Sequence, residues 1–158
     1  MSRRTRATDA LESAGVAFTV HAYDYDPNAD RIGEQAAEAL GEPASRVLKT
    51  LMAVVDGKPV CVLVPSDCEV SMKKLAAAFG GKSAQMMKPA DAERATGYKV
   101  GGISPFGQKR RVPTAMEERA LANDYVFINA GQRGLQVRLD PRDALVTLEA
   151  KVTSLTAQ

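Results

Sequence analysis

The chain has 158 residues, of which 45% are hydrophobic and 25% charged, and its formal net charge is +2. That length can bury a core without disulfides or metals, and so small a charge excludes a uniformly basic nucleic-acid binder, leaving only a local basic patch for such a role. No apolar run is long enough to cross a membrane. The basic start, Met1 to Arg6, lacks the apolar segment of a secretory signal, and Cys61 and Cys68 make neither a disulfide framework nor a metal motif. One cytoplasmic domain over residues 1–158, with no metal and no cofactor, is the expectation.

Ala7, Ala10, Leu11 and Ala14 share one helical face, and Gly15 stops that helix. Val16 to Tyr23 alternates as a strand, with Phe18, Val20 and Ala22 toward a core and Thr19, His21 and Tyr23 on the other face. His21 has no evident nucleophile partner and reads as structural rather than as a general base. Asp24 to Asp30 is a polar connection, followed by a helix with Ile32, Ala36, Ala39 and Leu40 inward and Gly41 at its end. Val47 to Val55 is apolar on both faces, which predicts a central strand. Lys49 breaks that pattern, since an ammonium on an apolar face must find a partner, line a pocket or snorkel to the rim.

Asp56-Gly57 marks a hairpin, with Val60 to Val64 as the return strand and Cys61 a small core side chain within it. Ser71 is an N-cap before the stripe Met72, Leu75, Ala76 and Phe79; Lys73 and Lys74 fall off that stripe and read as solvated. Lys82 to Met86 forms a short strand, and Pro89 opens a helix that runs to about Thr96. Thr114 to Ala122 reads as a short strand and then a helical turn. Asp124 to Ala130 is a strand, and Gly131 to Gly134 turns the chain. Leu135, Val137 and Leu139 alternate with Gln136 and Arg138 in a half-exposed partner strand. Asp140-Pro141 begins a last helix with Leu145, Leu148 and Val152 as its stripe. Interleaved helices and strands with two hairpin links predict a mixed α/β sheet rather than a purely parallel one.

Residues 96–113 carry four glycines, two prolines, no acid, and the cations Lys99, Lys109, Arg110 and Arg111. Glycine lets backbone N–H groups come close to a ligand. Several N–H groups with cations nearby suit a phosphate or a developing oxyanion. A turn-rich connection with a solvated basic end is the other reading.

The order of residues narrows this. Thr96-Gly97-Tyr98, Gly101-Gly102-Ile103-Ser104-Pro105, Gly107-Gln108-Lys109 and Pro113-Thr114, with Lys49-Thr50-Leu51 upstream and Gly131-Gln132-Arg133-Gly134-Leu135 downstream, resemble the YbaK family. These are free-standing aminoacyl-tRNA deacylases related to the editing domain of bacterial prolyl-tRNA synthetases, and the likeness is greatest to the branch acting on Cys-tRNA(Pro). The resemblance implies a partly barrel-like mixed β-sheet flanked by helices, with a pocket beside the glycine loop. It implies tRNA(Pro) with its aminoacylated 3′ end as substrate and prolyl-tRNA synthetase as protein partner.

The resemblance also implies site residues: Lys49, Gly101 and Gly102 as catalytic, Tyr23, Ile103 and Ser104 as substrate-binding, and Lys109, Arg110 and Arg111 as tRNA contacts. Tyr23 as a buried ring with a satisfied hydroxyl, and the three cations as a solvated loop end, stay open. Some relatives carry an acid where this chain has Gln136, so a charge role there is not carried over. The sequence holds no Ser-His-Asp arrangement, HExxH helix, CxxC pair or P-loop. That absence fits cleavage assisted by the thiol of a cysteinyl substrate, a mechanism the resemblance implies. A deacylase for another small group, such as Ala-tRNA(Pro), and a non-catalytic tRNA- or synthetase-binding module are the alternatives.

Overall fold

The computed structural model describes residues 3–28 and 32–157, without the side chains of residues 32 and 33. The described helices are α1 (Arg6–Ser13), α2 (Ile32–Leu40), α3 (Met72–Ala78), α4 (Pro89–Thr96) and α5 (Pro141–Leu148). The strands are β1 (Thr19–Ala22), β2 (Leu48–Val55), β3 (Lys58–Pro65), β4 (Ala84–Met86), β5 (Thr114–Glu117), β6 (Val126–Gln132), β7 (Leu135–Leu139) and β8 (Lys151–Thr153). They form a three-stranded sheet, β1-β7-β6, and a five-stranded sheet, β4-β2-β3-β5-β8. The pairs β3–β5 and β5–β8 are parallel and the rest antiparallel, so the α/β architecture is mixed.

Both expected hairpins form. Asp56 and Gly57 have φ of 48° and 81°, a turn of the primed kind whose twist matches the strands it joins. The β6–β7 hairpin carries a bulge between Asn129 and Gln132, which bends β6 where it approaches the glycine loop.

The sheets do not close into a barrel. They meet at a parallel bridge between Val47 and Phe127. β4 covers β2 only from Ala53 to Val55, so the first half of β2 has an open edge. Pro59 and Pro65 face Val54 and Leu48 across the β2–β3 ladder and have no N–H to donate. The paired hydrogen bonds therefore fall at Lys49–Val64, Leu51–Val62 and Ala53–Val60, and the main-chain groups of Leu48, Thr50 and Met52 face the open edge. The Met52 carbonyl is taken there by the Met87 N–H, at 3.0 Å.

The main core lies between the sheets and includes Leu11, Leu48, Leu63, Phe106, Ile128 and Leu135. A second cluster, with Val62, Val64, Leu75 and Leu155, fills the opposite face of the larger sheet under α3.

Some expectations shift. β1 is shorter than Val16 to Tyr23. α2 buries Ala36 and Ala37 while Ala39 is exposed; the side chain of Ile32 and the end of the 24–30 connection lie outside what is described. β7 buries Gln136 and leaves only Arg138 out. The last helix ends at Leu148 because Glu149 adopts a left-handed φ of 51°, so Val152 belongs to β8 and not to a helical stripe. Lys74 is half-buried: its Nζ donates to Ser154 Oγ (3.2 Å) and the Thr156 carbonyl (2.9 Å).

The C-terminal segment is held by a buried acid. Glu117 is 1% exposed. Its Oε1 accepts from the N–H of Leu155 (2.8 Å) and Thr156 (3.2 Å), and its Oε2 from the N–H (3.0 Å) and Nε (3.3 Å) of Arg119. Burial alone would raise its pKa, but the three backbone donors and the Arg119 side chain together hold it below the usual carboxylate range. A depressed folded pKa gives stability that is complete above the unfolded value and is lost as pH falls through the folded one. Glu117→Gln should lower unfolding stability at pH 7 by about 1–3 kcal/mol. It should also lose less stability than the wild type between pH 7 and the acid range, both measured by urea unfolding.

Candidate active site

Where β2 and β6 part, a cavity of about 400 Å³ opens along the free edge of β2. Its volume is near the lower end of the roughly 300–1,000 Å³ common for small-molecule sites. Lys49, Thr50 and Met52 of β2 form one wall, Gly101 and Ile103 another, and Tyr23, Asn129 and Gln136 close the side of the smaller sheet. Exposed Met86 and Val100 stand among its lining residues.

The glycine loop that forms the second wall is fixed at consecutive residues. Val100 N–H donates to Glu93 Oε2 (2.9 Å), and the Val100 carbonyl accepts from Arg133 Nε (2.8 Å). The Gly101 carbonyl accepts from Asn129 Nδ2 (3.3 Å), and Gly102 N–H donates to the Lys99 carbonyl (2.8 Å). Tyr98 is buried behind the loop and donates its hydroxyl to the Phe106 carbonyl at 2.6 Å; burial pushes its phenol pKa up to about 12. The N–H of Gly101 has no acceptor among the described residues.

The glycines also have a packing reason within the protein. Gly101 has φ of 90°, and a Cβ there would lie 2.5 Å from the Tyr25 hydroxyl and 3.3 Å from Arg133 Nε. A Cβ on Gly102 would lie 2.8 Å from the Arg133 backbone nitrogen. Glycine at both positions lets the loop pack on Tyr25 and on the β6–β7 turn.

Lys49 is half-buried, lines the cavity, and has no hydrogen-bond or ion-pair partner among the described residues. Among the described residues no Cys, His, Asp or Glu lines the cavity. Cys61 is buried beside Gln108, its thiol pushed up to about 12 by burial. Cys68 lies near Asp67 and Arg119, away from the cavity lining. His21 packs edge-on against Phe127, with ring centroids 5.2 Å apart, and Nε2 lies 2.8 Å from Thr19 Oγ1. Burial, with Arg138 and Arg3 nearby, lowers its pKa. The described residues include no cluster of His, Cys, Asp and Glu that could hold a metal ion.

The structure therefore brings Tyr23, Lys49, Gly101 and Ile103 together. Burial raises the Tyr23 phenol pKa, while the Gln136 amide pulls it the other way. Gly102 and Ser104 stand behind the wall: the Gly102 N–H is already taken by Lys99, and fully buried Ser104 accepts from Phe106 N–H at 3.2 Å. Lys109, Arg110 and Arg111 are exposed and do not line the cavity; Arg111 pairs with Glu149 at 3.3 Å.

Asn129 was not legible as a site residue, although a buried amide inside the apolar run of β6 is a signal of one. Its Oδ1 accepts from Gly131 N–H (2.7 Å) and Gln132 N–H (3.2 Å), and its other end holds Gly101. Arg133 reaches the loop through the tertiary fold, and Glu93 across the turn that ends α4; neither stands out in the sequence.

Residues 26–146 match the family described as the aminoacyl-tRNA editing domain. A candidate Cys-tRNA(Pro)/Cys-tRNA(Cys) deacylase of Enterococcus faecalis, EbsC, is 33% identical over 158 residues, spanning 99% of this chain and 95% of its own. A proline–tRNA ligase of Acidithiobacillus ferrooxidans is 36% identical over 95 residues, 60% of this chain but 16% of the ligase. The crystal structure of a candidate trans-editing enzyme for prolyl tRNA synthetase superposes with a TM-score of 0.82 at 24% identity, covering 97% of this chain and 96% of that one. At that identity it shows the shared fold.

Asn129→Ala should leave the Gly131 and Gln132 N–H groups without their acceptor and release the Gly101 carbonyl. The expected result is a loss of about 1–3 kcal/mol of stability and faster amide hydrogen exchange at residues 99–102 than in the wild type, read by mass spectrometry.

Proposed function

Because the chain belongs to the aminoacyl-tRNA editing domain family, we propose that it is a free-standing deacylase that clears Cys-tRNA(Pro), with the cavity beside β2 taking the aminoacylated 3′ end. One observation carries this reading: the Lys49 ammonium shares the cavity with the Gly101 N–H, neither has a partner among the described residues, and no described Cys, Ser, His or carboxylate accompanies them. The described lining can bind and stabilise charge, but it brings no Cys, His or carboxylate to the ester.

An aminoacyl ester is already activated, and a cysteinyl group carries its own nucleophile. The substrate sulfur attacks the ester carbonyl, forming an S–C bond. The C–O bond to the ribose breaks, and the thiol proton passes to the ribose oxygen that leaves with the tRNA. The cyclic thiolactone then opens in water to free cysteine. The protein's part is to hold the reacting atoms in place and to stabilise developing charge. Gly101 N–H receives the carbonyl oxygen, and Lys49 offsets charge on the departing oxygen. Tyr23 and Ile103 shape the aminoacyl side. Cys-tRNA(Cys) fits the same chemistry.

Outside the cavity, Lys109, Arg110 and Arg111 meet the tRNA backbone, contacts that position without reading sequence. A net charge of only +2 gives a weak grip on tRNA, so prolyl-tRNA synthetase is the partner expected to present the substrate. The similarity to a segment of a proline–tRNA ligase supports that pairing.

The test is release of label from Cys-tRNA(Pro) and Ala-tRNA(Pro) side by side. The wild type should release cysteine and spare alanine, and Lys49→Ala should slow cysteine release by about 100-fold or more. Release of both would require a positioned water in place of the substrate thiol. Normal turnover by Lys49→Ala would remove the lysine from the mechanism. No release of either, with tRNA still bound, would favour a binding module.

A further inference from the structure

Two polar atoms among the cavity-lining residues have neither solvent nor a protein partner among the described residues. They are Gln136 Oε1 and Thr50 Oγ1. Gln136 is 4% exposed and sits in mid-β7, flanked by Asn129 of β6 and His21 of β1. Beside it the Tyr23 phenol has a raised pKa, with burial raising it and the Gln136 amide acting the other way. The Gln136 oxygen is an acceptor without a donor among the described residues. Thr50 sits on the free edge of β2, where its main-chain groups also lack a neighbouring strand.

Buried polar atoms are nearly always paired, and an orphan costs free energy in the empty protein. Two orphans at one cavity specify what the cavity lacks, which is hydrogen-bond donors. The polar groups of an aminoacyl ester differ in this respect. Its carbonyl only accepts and matches the Gly101 N–H. Its α-ammonium carries three donors. Among the described residues no carboxylate lines the cavity to receive that cation, so a neutral acceptor is the favourable place for it.

We propose that Gln136 and Thr50 form a subsite for the α-ammonium of the aminoacyl group, so that the cavity selects esters with a free α-amine. This rests on the reading of the cavity as the aminoacyl site. It gives Gln136 a role in substrate recognition as an uncharged acceptor.

The test uses two amide-linked probes that cannot be turned over: 3′-alanylamino-3′-deoxyadenosine and its 3′-propionylamino counterpart, which lacks only the amine. Each is titrated calorimetrically into the wild type, Gln136→Met and Thr50→Val, with thermal melts to confirm folding. The wild type should bind the amine-bearing probe at least about tenfold more tightly. That preference should fall toward unity in Gln136→Met and decrease in Thr50→Val. If Gln136→Met does not fold, Thr50→Val and Gln136→Glu carry the test; the added carboxylate should increase the preference. Equal binding of the two probes, binding of neither, or an undiminished preference in the folded neutral variants overturns the inference. The deacylation assay reports separately: cysteine release by a wild type that shows no probe preference would sink this subsite and leave the function standing. A probe preference without turnover would do the reverse.

Discussion

The cavity depends on the hydrogen bonds that fix residues 99–102. Val100 is held at both its N–H and its carbonyl, by Glu93 of α4 and Arg133 of the β6–β7 turn. Gly101 is held through its carbonyl by Asn129, and Gly102 through its N–H by Lys99. The Gly101 N–H, at the cavity, keeps no acceptor among the described residues, in a backbone that cannot easily reorient. A fixed donor costs little reorganisation when charge develops next to it, whereas the same group in a mobile loop would have to be ordered during the reaction. The anchors come from α4, β6 and the β6–β7 turn, so the loop's shape is a property of the tertiary fold.

The second constraint is the incomplete joining of the two sheets. They share one bridge, Val47–Phe127, and part beyond it. Closing that seam would pair the first half of β2 and fill the cavity. Leaving it open exposes the β2 edge and lets Lys49 stand on a largely apolar strand with no ion-pair partner among the described residues. Such a strand edge invites pairing with other chains, and here it is the wall of a concave site. The cost of unpaired polar groups at Thr50 and Gln136 falls in the same place, consistent with a fold that is locally less satisfied where it meets a ligand.

Much of this was legible in the sequence, for identifiable reasons. The primed turn at Asp56-Gly57 and the caps at Ser71 and Asp140 are local, and local chemistry decided them. Lys49 stood out because a charge in a two-faced apolar strand has few explanations. The misreadings have a common cause. Val152 fitted a helical period, but Glu149 turned the chain and β5 offered an edge to pair with. Lys74 looked solvated until the C-terminal segment returned to it. Gly102 and Ser104 lie beside true cavity residues in the sequence, yet adjacent residues in an irregular loop face different ways. Asn129 and Arg133 are distant along the chain from the glycine-loop carbonyls they hold, which no periodicity reports.

A crystal structure with 3′-cysteinylamino-3′-deoxyadenosine, an amide that cannot leave, would test the central claim most directly. The amide carbonyl oxygen should lie about 3 Å from the Gly101 nitrogen, with Lys49 Nζ reaching the ribose side of the same linkage. A ligand whose carbonyl points away from the glycine loop, or one bound outside the seam between β2 and β6, would contradict the assignment of this cavity as the site of deacylation.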